Sequence, residues 1–214
     1  MKSIKHPYLD EELFYPDCME NWIQDVMSTV FPDQEYANFF RDKHDLVCVD
    51  VGANIGIVTG FIRRYSSRVY AIEPSARHFE ALCKNKEVNG WDNVILFRLA
   101  IHDHVGDGML NLDKSNPTTD SLVWATEFTQ PVHVTTLSAF LRDQRIELVD
   151  FLKIDVEGAE YDIVACENFE KISALDIEFH WSGQDKCLPK LRWLGFNNIL
   201  RRAQAVDAFL CIKD

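Results

Sequence analysis

The pattern of apolar and polar positions divides the chain into two regimes. In the stretch 18–31 (CMENWIQDVMSTVF), Met19, Trp22, Ile23, Val26, Met27 and Val30 recur at spacings of three and four, which predicts an amphipathic helix. A second short helix is predicted over residues 33–43, with Asp33 as its N-cap. Residues 1–45 therefore read as an N-terminal helical extension, punctuated by Pro7, Pro16 and Pro32. Its apolar stripe either packs on the core or forms a lid over a cleft. From residue 46 to 214 the pattern is that of one α/β domain. The run 46–51 (LVCVDV) has the valine-rich character of a strand buried on both faces. Helix 57–65, strand 68–72, helix 75–89 closed by Gly90, and strand 94–100 follow.

Residues 102–135 break this rhythm with two turn-rich stretches, HDHVGDG and DKSNPTTDS, separated by short extended pieces. Alternation resumes with helix 136–144, strand 150–156, helix 159–168, strand 174–181, helix 184–194 and two closing strands, 196–202 and 205–212. This order predicts a seven-stranded, mostly parallel sheet with helices on both faces. Only a few residues around Gln204 join the last two strands, too few for a parallel crossover, so they must form an antiparallel hairpin.

Charge narrows the partners. The 34 acidic and 22 basic side chains give a formal net charge of -12, a field that repels phosphate backbones and weighs against a nucleic-acid partner. None of the six cysteines lies in a Cys-x-x-Cys pair, which argues against a zinc knuckle or redox dithiol and for a reducing cytosol. Cys48, Cys166 and Cys211 lie in apolar surroundings and read as small hydrophobes. No apolar run has signal-peptide or membrane-span length, so the expected location is cytoplasmic.

Three motifs carry chemistry. Residues 49–56, VDVGANIG, join the first buried strand to a helix. Gly52 permits a sharp turn, Gly56 permits close approach of a ligand or of the helix, and the first-turn amides are expected to face a ligand. The spacing Asp-x-Gly-x-x-x-Gly is not the Gly-x-Gly-x-x-Gly that cradles a dinucleotide pyrophosphate. Residues 71–75, AIEPS, end the next strand with Glu73, 21 positions after Gly52, where an acid can accept hydrogen bonds from ribose hydroxyls. Residues 152–160, LKIDVEGAE, place Lys153, Asp155 and Glu157 on one strand face, where they must pair with each other, a ligand or a metal. Glu160 follows in the first helical turn, where a negative charge suits the dipole.

Together these strings, with residues 93–112 and with DIEFH followed by LRWLGF, resemble the FkbM family of methyltransferases over about residues 40–214. The resemblance implies a Rossmann-like class I methyltransferase fold, S-adenosylmethionine as cofactor and a hydroxyl of a small molecule, such as a sugar or polyketide, as acceptor. The implied cofactor pocket comprises Asp50, Gly52, Ala53, Asn54, Gly56, Glu73, Pro74, Ser75, Ala100, Ile101 and Asp155, with Ser121 beside it. S-adenosylmethionine has no phosphate to cradle, and Asp50 is a plausible counter-charge for its ammonium or sulfonium. His102-Asp103-His104 departs from the family pattern, which has Gly-Asp after the Ala-Ile pair.

On the acceptor side, Glu178 and His180 lie two apart at the end of strand 174–181, next to the strand that carries Asp155. A hydroxyl scarcely ionises at neutral pH, so its methylation needs a base or a metal. Asp155 and His180 are the catalytic candidates. Either is a possible base, Asp155, Glu178 and His180 together are a possible divalent-ion set, and a hydrogen-bonded core histidine is the remaining reading of His180. His6, His44, His78 and His133 give no comparable signal. Two rival classes stand beside the methyltransferase: a cofactor-binding protein without catalysis, and a nicotinamide-dependent oxidoreductase. The missing central glycine of the dinucleotide fingerprint and the terminal hairpin argue against the second.

Overall fold

The computed structural model describes residues 1–6, 9–24, 27, 38–180, 184–202 and 207–213. Its central sheet has seven strands: β3 (Leu46–Val51), β4 (Ser66–Ile72), β5 (Val94–Phe97), β9 (Phe151–Ile154), β10 (Ala174–Glu178), β11 (Phe196–Arg201) and β12 (Ala208–Lys213). Their spatial order is β11-β12-β10-β9-β3-β4-β5. β12 is antiparallel to both β10 and β11, and the remaining pairings are parallel. The predicted hairpin is present, with the last strand of the chain inserted between β10 and β11. Its turn, around Gln204, falls outside the described residues.

Strand periodicity of two sorts the core into two layers. Cys48, Val69, Ala71, Phe151, Ala174 and Leu210 point to one face, which is covered by α1 (Ile57–Ile62), α2 (Ala76–Val88) and the N-terminal segment. Val49, Val51, Tyr70, Ile72, Leu152, Ile154, Leu175, Ile177, Phe209 and Cys211 point to the other. There α3 (Leu137–Asp143), α4 (Glu160–Cys166) and α5 (Gln184–Trp193) cover the sheet. Buried strands lined on both faces explain why their sequences read as apolar runs rather than alternating ones. Cys48 and Cys211 are buried, as their apolar context suggested, whereas Cys166 is exposed at the end of α4.

Two smaller sheets complete the molecule. β6 (Ala100–Ile101), β7 (Gly106–Leu112) and β8 (Phe128–Thr135) form a three-stranded sheet in the order β6-β8-β7. The predicted strand 94–100 is therefore split: its first part closes the main sheet, and Ala100 starts the small one. At the N-terminus, β1 (Lys2–Lys5) and β2 (Glu12–Tyr15) pair as an antiparallel hairpin that the helical reading of residues 1–45 did not anticipate. Buried Asn85 of α2 clasps it, accepting from Phe14 N at 2.5 Å and donating to Phe14 O at 2.9 Å and Ile55 O at 2.7 Å.

Much of the predicted helices 18–31 and 33–43 lies outside the described residues. Met19, Ile23 and Met27 of that stripe, with Phe39 and Phe40, are buried in the same layer as α1 and α2. Among the described residues no helix is long and apolar enough to cross a membrane.

Parallel register aligns the carboxyl ends of three neighbouring strands: Val51 of β3 pairs with Ile72 of β4 and with Ile154 of β9. Chain order reverses between β3 and β9, since β4 and β5 lie on one side and β9 and β10 on the other. The loops 52–56, 73–75 and 155–159 consequently meet at one edge of the sheet, where α/β proteins open a crevice.

Candidate functional site

That crevice encloses about 840 Å³ including its open mouth. Gly52, Ala53, Asn54, Glu73, Pro74, Ala100, Ile101 and Asp155 line it, all of them named from the sequence. Asp50, Gly56, Ser75 and Ser121 lie behind its walls, where each secures a neighbour. His180 stands beside it, across from Asp155 and Glu157.

The β3 loop shows how tightly the wall is built. Gly52 adopts φ +80, and a Cβ there would sit 1.7 Å from the Asp155 carbonyl oxygen, so only glycine lets the two loops touch. Gly56, at φ +93, faces the protein interior: a Cβ would meet Leu82 at 2.5 Å and Trp91 at 2.9 Å. It serves the approach of α1 to α2, the helix alternative rather than the ligand one. Gly52 N and Ala53 N both donate to Ile72 O at 3.0 Å, Asn54 N donates to Glu73 Oε2 at 2.8 Å, and Gly56 N donates to Ala53 O at 2.8 Å. These four amides are thus bonded within the protein, and the loop does not offer them to a ligand as a phosphate cradle would.

Glu73 is 5% exposed and bridges two loops, accepting from Asn54 N and, through Oε1, from Ser75 N at 2.8 Å. Burial pushes its pKa up to about 7 despite those two donors. His78, in the first turn of α2, also lines the crevice, with Nδ1 3.9 Å from Glu73 Oε1. Burial lowers its pKa to about 3, so it is neutral. Asp120 lines the same wall and is paired with Arg77 at 2.5 Å. Neither His78 nor Asp120 was singled out in the sequence. The signal for Asp120 was its place directly before Ser121, whereas His78 reads in sequence as an ordinary polar helix residue.

Below the loop, Asp50 is fully buried, accepts from Thr59 Oγ1 at 2.5 Å and lies 3.7 Å from Lys153 Nζ. Burial raises its pKa, opposed by Lys153 and Thr59. Lys153 Nζ bonds Asp155 Oδ2 at 3.1 Å and Gly52 O at 3.3 Å. Burial disfavours the Lys153 charge, but Asp155 and Asp50 together outweigh it and hold the ammonium. Of the three charges grouped by the sequence pattern, Lys153 and Asp155 neutralise each other, whereas Glu157, beyond the end of β9, faces His180. The carboxylate that reaches the crevice here is Asp155 rather than Asp50.

Past β9 the chain turns sharply through Glu157, at φ +58, and Gly158, at φ +113. A left-handed non-glycine residue costs roughly 1–2 kcal/mol and persists where its surroundings over-determine it. Here Glu160 accepts from Val156 N at 3.0 Å and Gly158 N at 3.1 Å, and Ser121 Oγ donates to Glu157 O at 2.6 Å. Trp124, 46% exposed, lies over Gly158, where a Cβ would meet its Nε1 at 2.6 Å. The result is a Glu157 side chain fixed at the crevice wall beside the half-exposed Trp124.

His180 completes the group. β10 ends at Glu178, so His180 lies beyond the strand rather than on it. Its Nδ1 is 3.0 Å from Glu160 Oε1, and its Nε2 is 3.4 Å from Glu157 Oε2 and 4.0 Å from both Asp155 Oδ1 and Glu178 Oε1. Burial opposes its charge, yet the bond to Glu160 and the nearby Asp155 and Glu157 raise its pKa to about 10. Burial and then Asp155 push both Glu157 and Glu178 upward, with His180 opposing. Asp155 is held below its ordinary value: burial works against this, but Lys153 and His180 prevail. Asp155, Glu157 and His180 also present ligand atoms within 4.8 Å of one another, a donor set that could hold a metal ion.

The fold is shared by solved methyltransferases. The methyltransferase FkbM of Methylobacillus flagellatus aligns with 14% identity and a TM-score of 0.51, over 93% of this chain and 56% of that one. A SAM-dependent methyltransferase of Aquifex aeolicus aligns with 12% identity and a TM-score of 0.54, over 92% and 97% of the two chains. A precorrin-6y C5,15-methyltransferase of Geobacter metallireducens aligns with 13% identity and a TM-score of 0.52, over 86% and 90%. The fold is that of the class I S-adenosylmethionine-dependent methyltransferases. Residues 50–210 match the methyltransferase FkbM domain, and the chain belongs to that family. It spans a little over half the length of the Methylobacillus chain. No curated protein matches the sequence.

Proposed function

We propose that this chain transfers the methyl group of S-adenosylmethionine to a hydroxyl of a small-molecule acceptor, with Glu157 as proton acceptor. The observation that carries this reading is the division of one crevice. Glu73 lies on its β4 side, Asp155 and Glu157 on its β9 side, and the β3 loop with Asn54 between them.

The residues fit the cofactor. Asn54 Oδ1 is buried without a hydrogen-bond partner among the described residues, on the crevice wall. Each Glu73 oxygen bonds one amide and keeps a second lone pair for a ribose hydroxyl. Leu99, Ile101, Leu110 and Leu122 offer apolar surface to an adenine, and Asp155 offers negative charge to the cationic amino-acid end. When bound, S-adenosylmethionine supplies an electrophilic methyl group on a sulfonium.

The chain's own residues then supply position and a proton acceptor. His180, a base candidate in the sequence, is already protonated at neutral pH because buried Glu160 and three further carboxylates surround it. The acceptor's hydroxyl proton therefore goes to a carboxylate. Glu157 is suited to this, since its raised pKa brings it closer to the operating pH. A cation held beside Asp155 favours the ionised form of Glu157, so the base is available once the methyl donor is in place. The His180 imidazolium orients both carboxylates, and the exposed Trp124 ring gives the acceptor an apolar face to rest on. Holding acceptor and methyl group in line supplies the remaining rate enhancement. A divalent ion on Asp155, Glu157 and His180 would require His180 to lose the proton its neighbours favour.

Transfer of labelled methyl groups to a panel of hydroxylated compounds tests the proposal. Turnover that disappears in Glu157→Gln supports it. Cofactor binding with no turnover on any acceptor would favour the non-catalytic alternative.

A further inference from the structure

We propose that His102, Asp103 and His104 form a binding site for a transition-metal cation of the zinc class, outside the crevice. The triplet occupies the turn after β6, where the sequence departs from the Gly-Asp pattern noted above. His102 Nδ1 and His104 Nδ1 lie 2.5 Å and 2.8 Å from the same Asp103 Oδ1. The two rings stand 5.8 Å apart at 68°, so their nitrogens converge on one carboxylate rather than stacking. The three donor atoms all lie within 4.8 Å of one another.

Two imidazole nitrogens and one carboxylate oxygen suit Zn²⁺, Ni²⁺ or Cu²⁺, whereas Mg²⁺ and Ca²⁺ call for oxygen donors. Ligands of a tetrahedral zinc at its usual bond lengths lie roughly 3.3 Å apart. From 2.5 and 2.8 Å the two His–Asp pairs need to open by roughly 0.5–0.8 Å. The turn can give, because the Asp103 and His104 side chains are 49% and 53% exposed. Water can fill the fourth position.

A second observation concerns the far nitrogen of His102. Its Nε2 lies 3.7 Å from Asp162 Oδ2 of α4, an ion-pair separation from which a small closing would bring the two into hydrogen-bond contact. A carboxylate on the nitrogen remote from the metal fixes the tautomer of a ligating histidine and strengthens it as a donor. The backbone holds this residue in place, with His102 N donating to Thr135 O at 2.9 Å and its side chain only 14% exposed. The pre-set histidine thus lies on the rigid side of the site and the adjustable ligands on the open side.

A bound cation would fasten this turn next to α4. Ala100 and Ile101, immediately before it, line the crevice, and Glu160 at the start of α4 holds His180. The proposal does not depend on methyl transfer.

Calorimetric titration of Zn²⁺ into the chelator-treated full chain tests it, with Cys18, Cys83 and Cys166 changed to Ser to remove the exposed thiols. One equivalent should bind, with affinity reduced at least about 100-fold in the His102→Ala/His104→Ala double variant and unchanged in His180→Ala. In the unmodified chain, Zn²⁺ should shift the imidazole NMR signals of His102 and His104 and leave those of His133 in place. Any of three results would overturn the proposal: no Zn²⁺ binding, unchanged affinity in the double variant, or loss of binding in His180→Ala instead.

Discussion

Replacing Glu73 by Gln separates its two roles, since the carboxylate both ties the β3 loop to the α2 cap and faces the crevice. In the folded chain one oxygen accepts from Asn54 N and the other from Ser75 N, each at 2.8 Å. Glutamine keeps one acceptor and turns an NH₂ donor toward the other amide. One buried N–H then loses its partner, at a cost of about 1–3 kcal/mol. Against this, Gln removes a charge that burial disfavours. The Glu73 pKa is raised in the folded state, so its protonation contributes stability below the unfolded value near 4.5 that is lost as pH rises through about 7. Gln should therefore flatten the stability profile between those limits while lowering stability most at the acid end. For the ligand, losing a charge-assisted bond to a ribose hydroxyl should cost about 1.5–3 kcal/mol, or roughly 10- to 150-fold in Kd. Thermal unfolding across pH measures the first effect, and calorimetry with S-adenosylhomocysteine measures the second. A variant with the altered stability profile that binds within about twofold of wild type would refute the ligand role and leave Glu73 as a loop clasp.

Glu157→Gln should lower turnover by about 10²–10⁴ with little change in S-adenosylhomocysteine affinity, whereas Asp155→Asn should damage both. Equal turnover in Glu157→Gln would remove it as the base. His180 should titrate near pH 10 by imidazole NMR, contributing stability fully present below about pH 6.5 and lost as pH rises through about 10. Glu160→Gln should lower that midpoint, and a wild-type midpoint near 6.5 would contradict the protonated assignment. Gly52→Ala should prevent folding or cost more than about 3 kcal/mol, because its Cβ would collide with backbone at Asp155 O. Gly90→Ala, at φ +61 with open space around it, should cost about 1 kcal/mol. Equal losses in urea denaturation would refute this distinction.

The sheet was readable because strands buried on both faces leave apolar runs, and because the short final connection permits only a hairpin. The crevice wall was readable for a similar reason: Gly52 and Glu73 mark backbone and charge requirements at the ends of neighbouring strands, and both line it. What escaped was set by contacts remote in sequence. The β1–β2 hairpin depends on Asn85, 71 positions from Phe14, and its four-residue strands leave little periodicity of their own. Asp50 carried an expected ligand charge, but only the fold shows Lys153 and Thr59 enclosing it. Gly56 was read as open to either a ligand or a helix, and Leu82 and Trp91 decide for the helix. His180 was read as a possible base from its place near Asp155. Its protonation follows from Glu160, whose carboxylate is brought to it by a turn through Glu157 in a conformation that residue seldom adopts.

The central claim is that the crevice takes S-adenosylmethionine and uses it. Calorimetry on the purified chain with S-adenosylhomocysteine and with NAD, in parallel titrations, tests it most directly. Micromolar binding of the sulfur compound, weakened in Glu73→Gln, is expected, with no heat on adding NAD. Micromolar NAD binding with no response to S-adenosylhomocysteine would contradict it.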